Sequence, residues 1–235
     1  MKKENREILL GVEAKHNRAS WSQWRVSNYE YFKDKLFGLD KKLRLLDLGA
    51  GNVPFRDLFF VFEYTGVDHV SFPSVTVIAD FEKSIPIQDG QSDIITLSNV
   101  LEHVSHPLIL LNECRRVLTP GGKIIGTVPF LMKAHQLPYD YNRYTSYQIK
   151  NMLEEVGFVD IEVIPLGRLV DVYDTFELKF FATALSREAS FLKKILLTVV
   201  RHIRRLEMRF IRMLVRNIHS CEEYTEGYGF CAIRR

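Results

Sequence analysis

The stretch Leu43-Arg-Leu-Leu-Asp-Leu-Gly-Ala-Gly-Asn-Val-Pro-Phe55 limits the fold more than any other. Leu43, Leu45, Leu46 and Leu48 make a short apolar run of strand length, the mark of a parallel strand covered on both faces. Gly49-Ala-Gly51 stops it. A helix is predicted to open at Pro54, with Asn52 near the N-cap and Pro54 near the first helical position. Strand, glycine turn and helix N-terminus form a cradle for a nucleotide-like ligand, because glycine lets backbone come close where a side chain would not. The dinucleotide fingerprint would need a glycine where Pro54 stands, which disfavours a dehydrogenase.

Further strands and helices alternate behind this unit. Tyr64–Asp68 reads as a second strand, Val75–Ala79 as a third and Ser92–Ser98 as a fourth. A helix is predicted from Pro107 to Leu118, with Leu108, Leu111, Cys114 and Leu118 at helical spacing. Thr119-Pro-Gly-Gly122 stops it, and Lys123–Val128 is the fifth strand. Thr145 or Ser146 can cap a helix over Tyr147–Val156 that Gly157 ends. Val159–Ile164 is the sixth strand, and Gly227–Ile233 is the best candidate for a seventh. The class is α/β, and such sheets bind ligands outside the carboxyl ends of their strands.

Asp47 two residues before Gly49, then Asp80-Phe81, Ser98-Asn-Val-Leu-Glu-His103 and Arg116-Val-Leu-Thr-Pro-Gly-Gly122 stand in the order of known motifs. Over roughly residues 40–165 the chain resembles class I S-adenosylmethionine (SAM)-dependent methyltransferases of the type 11-like group. One departure is Val53, where that family often has a third glycine. The resemblance implies a Rossmann-like seven-stranded sheet, six strands parallel and one antiparallel, with helices on both faces. It implies a single domain over 1–235, with a helical cap at 1–40 and a helical basic insertion at 170–222 before the last strand. It implies SAM as cofactor, held by Asp47, Gly49, Ala50, Gly51, Asp68, His69, Asp80, Phe81, Asn99 and Val100. Asp68, about 20 residues beyond Asp47, is suited to accept both ribose hydroxyls. Asp80 can accept the adenine amino group, while Phe81 packs on the ring.

The loop Pro129–Thr145 contains His135-Gln-Leu-Pro-Tyr-Asp-Tyr-Asn-Arg-Tyr-Thr145. It is similar to methyltransferases associated with surface-polysaccharide biosynthesis, which implies a saccharide or glycolipid acceptor. Tyr139 and Tyr144 can stack on sugar rings, and Asp140 and Arg143 can bond hydroxyls or a carboxylate. His103 and His135 are the candidate bases for a hydroxyl acceptor, an imidazole being matched to neutral pH. Some similar families hold a divalent metal with Glu-x-x-Glu-His. Here Asn99 replaces the first Glu and leaves Glu102, His103 and His135, so no metal is expected. The alternatives are a methyltransferase of another small molecule, of quinone or polyketide type, and a non-catalytic scaffold of the same fold.

Residues 1–42 read as amphipathic helix broken near Asn17–Ser22, with Trp21, Trp24, Tyr29, Tyr31 and Phe32 as an aromatic cluster. Residues 187–216 carry Leu192, Ile195, Leu196, Val199, Ile203, Leu206, Phe210, Met213 and Leu214 along one arc and eight Lys/Arg opposite. The net charge of +3 conceals an asymmetry: 183–235 hold 11 Lys/Arg against 5 Asp/Glu, and the rest is net negative. A peripheral contact with an anionic membrane through 187–216 and a homodimer through the same helix are both open. Nucleic acid is not expected, because the basic face has no aromatics to stack on bases. No apolar run reaches membrane-spanning length, and Cys114, Cys221 and Cys231 have no metal-like spacing. The location implied is cytoplasmic, with the inner face of the membrane as the place of any lipid contact.

Overall fold

The computed structural model describes residues 21–53, 55–173, 175, 176, 183, 191–214 and 224–235. Helix α1 (Gln23–Leu36) precedes β1 (Arg44–Leu48), α2 (Arg56–Phe59), β2 (Glu63–Asp68), β3 (Val77–Ile78) and β4 (Ser92–Ser98). A 3-10 turn at Leu101–His103 leads into α3 (Pro107–Val117) and β5 (Leu118–Pro129). Then come α4 (Ser146–Val156), β6 (Phe158–Leu166), α5 (Phe191–Leu214) and β7 (Gly227–Arg234). The seven strands form one sheet in the order β3-β2-β1-β4-β5-β7-β6. The β1–β2, β1–β4, β2–β3 and β4–β5 pairs are parallel, and β7 runs antiparallel between β5 and β6.

Side-chain alternation divides the sheet into two covered faces. Leu46, Leu48, Ile95, Leu97 and Ile124 join one core with α3 and α4. Leu45, Ile94 and Ile125 join the other, with α1 and the phenylalanines around α2. Helix α1 presents Trp24, Asn28, Tyr31, Phe32 and Leu36 to the sheet at helical spacing. Its aromatics sit close because β7 is glycine-bearing on that side. A Cβ on Gly227 would lie 2.4 Å from the Trp24 ring, and one on Gly229 would lie 2.7 Å from the Tyr31 ring.

Several boundaries differ from expectation. The helix after the glycine turn is one turn long, is preceded by Phe55 and has no side-chain cap, so Asn52 is not its N-cap. Pro54, residues 1–20, Arg187, Arg216 and Cys221 lie outside the described residues. The third strand shrinks to two residues because β3 is an edge strand paired only with the end of β2. The Thr145 cap and Gly157 stop are as expected: Thr145 Oγ1 accepts from Gln148 N, and Gly157 adopts the left-handed conformation.

Candidate active site

The turn after β1 folds back on β2. Gly49 N and Ala50 N donate to Val67 O, at 2.9 and 3.1 Å. Gly49 has φ +73°, and a Cβ there would lie 2.5 Å from Val100 Cγ2, so the turn and the end of β4 meet only because this residue lacks a side chain. Val53, at the place of the family's frequent glycine, is buried with φ +45°. That conformation is costly for a β-branched residue.

Asp68, at the tip of β2, organises this turn. Its Oδ2 accepts from Gly51 N at 2.9 Å and its Oδ1 from Val70 N at 3.2 Å. His69 Nδ1 stands 2.9 Å from the same carboxylate. A carboxylate has about four lone-pair sites, so acceptor capacity remains for a ligand. Asp47 is used differently. Buried in the sheet, it accepts from Thr96 Oγ1 at 2.8 Å and Tyr64 Oη at 3.1 Å, tying β1 to β4 and β2. Burial pushes its carboxyl up to about 7, against the opposing pull of those two bonds. Asp80 is paired with Lys83 at 2.9 Å, and that lysine holds its carboxyl below the ordinary value.

Asn99 follows β4 with φ +56°, a conformation asparagine tolerates. Its Oδ1 accepts from Trp24 Nε1 at 3.0 Å and its Nδ2 donates to Asn28 Oδ1 at 3.2 Å. Thr127 Oγ1 also donates to Asn28 Oδ1. This network fixes α1 over the carboxyl edge of the sheet. Trp24 and Asn28 are thereby part of the site, although the sequence marked the first only as an aromatic of the cap and the second not at all.

The loop after β5 is sewn onto the turn after β4. Tyr141 N and Asn142 N donate to Glu102 O at 2.8 and 3.2 Å. Tyr144 Oη donates to Leu101 O at 3.0 Å, and Asn142 Nδ2 to Val104 O at 3.0 Å. The result brings His103 and His135 together, with ring centroids 4.8 Å apart. Each Nε2 lies 3.7 Å from Oε1 of Glu102, which is fully buried. The Glu102 carboxylate, followed by Asp140, raises the pKa of His135 against the opposing effect of burial. His106 takes no part: exposed, it pairs with Glu82 at 3.0 Å.

A cavity of about 1080 Å³ joins these parts. Asp47, Gly49, Ala50, Gly51, Asp68, His69, Asp80, Phe81, Asn99, Val100, His103, His135 and Tyr139 all line it, and Trp24, Arg25 and Asn28 of α1 roof it. Asp140, Arg143 and Tyr144 do not line it. Arg143 grips Asp140 with two bonds of 2.6 and 2.8 Å, and His135 N donates to Asp140 at 2.8 Å. That bidentate clamp holds Asp140 far below the usual carboxylate range. The acceptor contacts expected of these three residues are replaced by internal ones, and only Tyr139 of that group reaches the cavity.

A family profile described as a methyltransferase domain matches residues 21–163. The chain belongs to this methyltransferase family. A demethylmenaquinone methyltransferase from Anoxybacillus flavithermus is 26% identical to it over 197 residues, covering 70% of this chain and 76% of that one. A SAM-dependent methyltransferase structure from Archaeoglobus fulgidus superposes with a TM-score of 0.53 at 21% identity, covering 90% and 92% of the two chains. Phosphoethanolamine N-methyltransferase 2 of Haemonchus contortus, solved with SAM, gives 0.55 at 15% identity; this methyltransferase spans 88% of itself and 52% of that longer chain. The protein is a SAM-dependent methyltransferase. The residues present fit that cofactor. Gly49 and Gly51 keep the turn clear of side chains where it meets the cavity, Asp68 keeps acceptor capacity, Val100 and Phe81 offer apolar surface, and several carboxylates suit a cationic sulfonium.

Proposed function

We propose that this methyltransferase methylates a hydroxyl oxygen of a saccharide or glycolipid precursor. The observation that carries the oxygen acceptor is the pair His103 and His135 at the cavity wall, with the buried Glu102 behind them. SAM, when bound, supplies a methyl group on a sulfonium that can pass to a nucleophile as its bond to sulfur breaks. The chain's part is to hold, align and deprotonate. Asp68 would take the ribose hydroxyls, Asp80 the adenine amino group, and Phe81 and Val100 the ring faces. The glycine turn would set the depth to which the cofactor enters, and alignment of the two reactants accounts for much of such catalysis. His103 and His135 would stand at the acceptor oxygen, where removal of the hydroxyl proton typically contributes about 10²–10⁴-fold. Tyr139 and the exposed Tyr141, both at the cavity, suit the face of a sugar ring.

A second reading is a quinone-type acceptor, favoured by the demethylmenaquinone methyltransferase among the relatives. Glycolipids and quinones are both lipid-borne, and helix α5 is consistent with either. Its apolar row, from Leu192 to Leu214, is 47–76% exposed. Arg204 is turned to Tyr173 and Glu207. No described helix is long and apolar enough to cross a membrane, so the contact proposed is peripheral. A homodimer would cover the same row, and sizing of the protein beside flotation with anionic liposomes separates the two.

The test of function is transfer of labelled methyl from SAM to fractionated membrane lipids and to soluble sugar precursors. Label recovered as an O-methyl sugar after acid hydrolysis supports the first reading. Label in a quinone supports the second, and SAM binding with no transfer to either counts against both.

A further inference from the structure

We propose that Glu102, His103 and His135 form a binding site for one divalent first-row transition cation. The site itself stands on geometry alone. That the cation would bind the acceptor oxygen and ease loss of its proton, in place of a histidine base, rests on the O-methyltransferase reading above.

Glu102 is fully buried, and neither of its carboxylate oxygens accepts a hydrogen bond from a described residue. A buried carboxylate without donors is costly, and proteins ordinarily pair it or use it to ligate a metal. The two Nε2 atoms stand 3.7 Å from its Oε1, beyond hydrogen-bond length. One ligand atom from each of the three residues lies within 4.8 Å of the others. Nitrogen and oxygen ligands at about 2.0–2.2 Å from one ion stand about 3.0–3.4 Å apart. The two Glu102–histidine pairs would close to that range by a few tenths of an ångström, and the widest pair of the three, up to 4.8 Å apart, by about 1 Å or more, within the reach of a side-chain rotation.

The second nitrogen of each ring faces a group that would fix its orientation. His103 Nδ1 lies 2.6 Å from Tyr139 O. A carbonyl can only accept, so Nδ1 carries the proton and a neutral His103 offers its lone pair from Nε2, toward Glu102. His135 Nδ1 lies 3.5 Å from Asp140 Oδ2, just beyond hydrogen-bond length, and would meet that carboxylate, which Arg143 holds in place, after a shift of a few tenths of an ångström. Carbonyl–histidine and carboxylate–histidine pairs of this kind are what orient imidazoles toward metals. They also give the Asp140–Arg143 clamp a role as positioning residues.

A pure ion-pair reading fits less well. For each Nε2 to serve Glu102 as a charged donor, both rings would have to be imidazolium. Two such rings 4.8 Å apart would then share one carboxylate. Two neutral imidazoles and one carboxylate around a dication avoid that excess of charge. Two nitrogens and one oxygen suit Mn²⁺, Fe²⁺, Co²⁺ or Zn²⁺ better than Mg²⁺ or Ca²⁺, which prefer oxygen. Both histidines line the cavity, so the remaining coordination positions would open toward the acceptor.

The test uses the full chain, stripped with chelator and titrated with Co²⁺ in the absence of SAM. The readouts are ligand-field absorption and calorimetry, with Mn²⁺ followed by its electron paramagnetic resonance. One saturable site is expected, weakened about a hundredfold or more in Glu102→Gln and in His135→Ala. Glu102→Gln keeps the size and shape of the side chain, and a thermal melt of each metal-free variant beside the parent separates lost binding from lost folding. No saturable Co²⁺ or Mn²⁺ binding by the folded parent, or binding unchanged in Glu102→Gln, overturns the proposal. SAM affinity is measured separately on metal-free protein. Its loss would count against the methyltransferase reading and leave the cation site standing.

Discussion

Gly49→Ala tests the geometry of the glycine turn after β1. At φ +73° an alanine pays the left-handed penalty, roughly 1–2 kcal/mol. Its Cβ would also lie 2.5 Å from Val100 Cγ2, against an optimum near 3.5–4.0 Å for two carbons. Either Val100 leaves its rotamer or the turn withdraws by about 1 Å, a strain on the order of 1–3 kcal/mol. The sum, about 2–5 kcal/mol, should lower Tm by roughly 5–15 °C in a domain of this size. Val100→Ala alone should cost about 1–2 kcal/mol from lost burial. In the double variant the clash disappears while the φ penalty stays. The two changes should therefore be less than additive by roughly the clash energy. Thermal melts and urea unfolding of the four proteins measure the cycle, and SAM calorimetry on each should show a loss of at least about tenfold for Gly49→Ala if the turn withdraws. A Gly49→Ala protein that melts with the parent, or strict additivity, would falsify the close approach of residues 49 and 100.

Asp68→Ala removes the carboxylate proposed to accept the two ribose hydroxyls, each such bond being worth about 1.5–3 kcal/mol, so SAM affinity by calorimetry should fall tenfold or more; unchanged affinity refutes the ribose assignment. Burial raises the pKa of Asp47 in the folded state to about 7, well above the ordinary carboxylate value, so the folded state holds this proton more tightly than the unfolded chain. Its contribution to stability is therefore greatest at low pH and declines as pH rises from about 4 through 7, by up to roughly 4 kcal/mol. Asp47→Asn should abolish that part of the slope, seen as a gain over the parent in urea unfolding at pH 8 relative to pH 5; parallel profiles would rule it out. Arg143→Lys replaces a two-bond fork on Asp140 with a point charge, and amide exchange over 133–143 should quicken by roughly tenfold, a loss of about 1–2 kcal/mol of local stability; unaltered exchange would show that the fork does not brace the loop.

The sheet was readable because its strands are apolar runs cut by glycine, proline and acidic residues. Leu43–Gly51 and Ser92–Ser98 needed nothing else. The edge strand β3 is shorter than its apolar run suggests, because such a run says nothing of the partner it finds. The helix after the turn starts later than Asn52 and Pro54 suggest, because those residues carry local preference, whereas Phe55, Phe59 and Phe60 are drawn by burial into the α1 core. In the site, glycines and acids at strand ends announced themselves through spacing. The loop residues did not, because the residue types in Tyr139–Tyr144 suit sugars and internal bracing equally. Only packing shows that Asp140 spends its lone pairs on Arg143 and the His135 amide. Glu102 was legible as a letter of Leu-Glu-His, but its complete burial without a donor is a property of the assembled loops.

Strand β7 has a bearing on biosynthesis. It supplies the neighbour that β6 pairs with and covers one edge of β5, yet about sixty residues separate the end of β6 from its start. A ribosome adding about 5–20 residues per second needs some 3–12 seconds to cross that interval. Throughout it β5 and β6 emerge with open ladders, a template for wrong pairing. Protection of nascent chains halted before residue 227, and its rise once residue 234 has cleared the exit tunnel, would time the closing of the sheet.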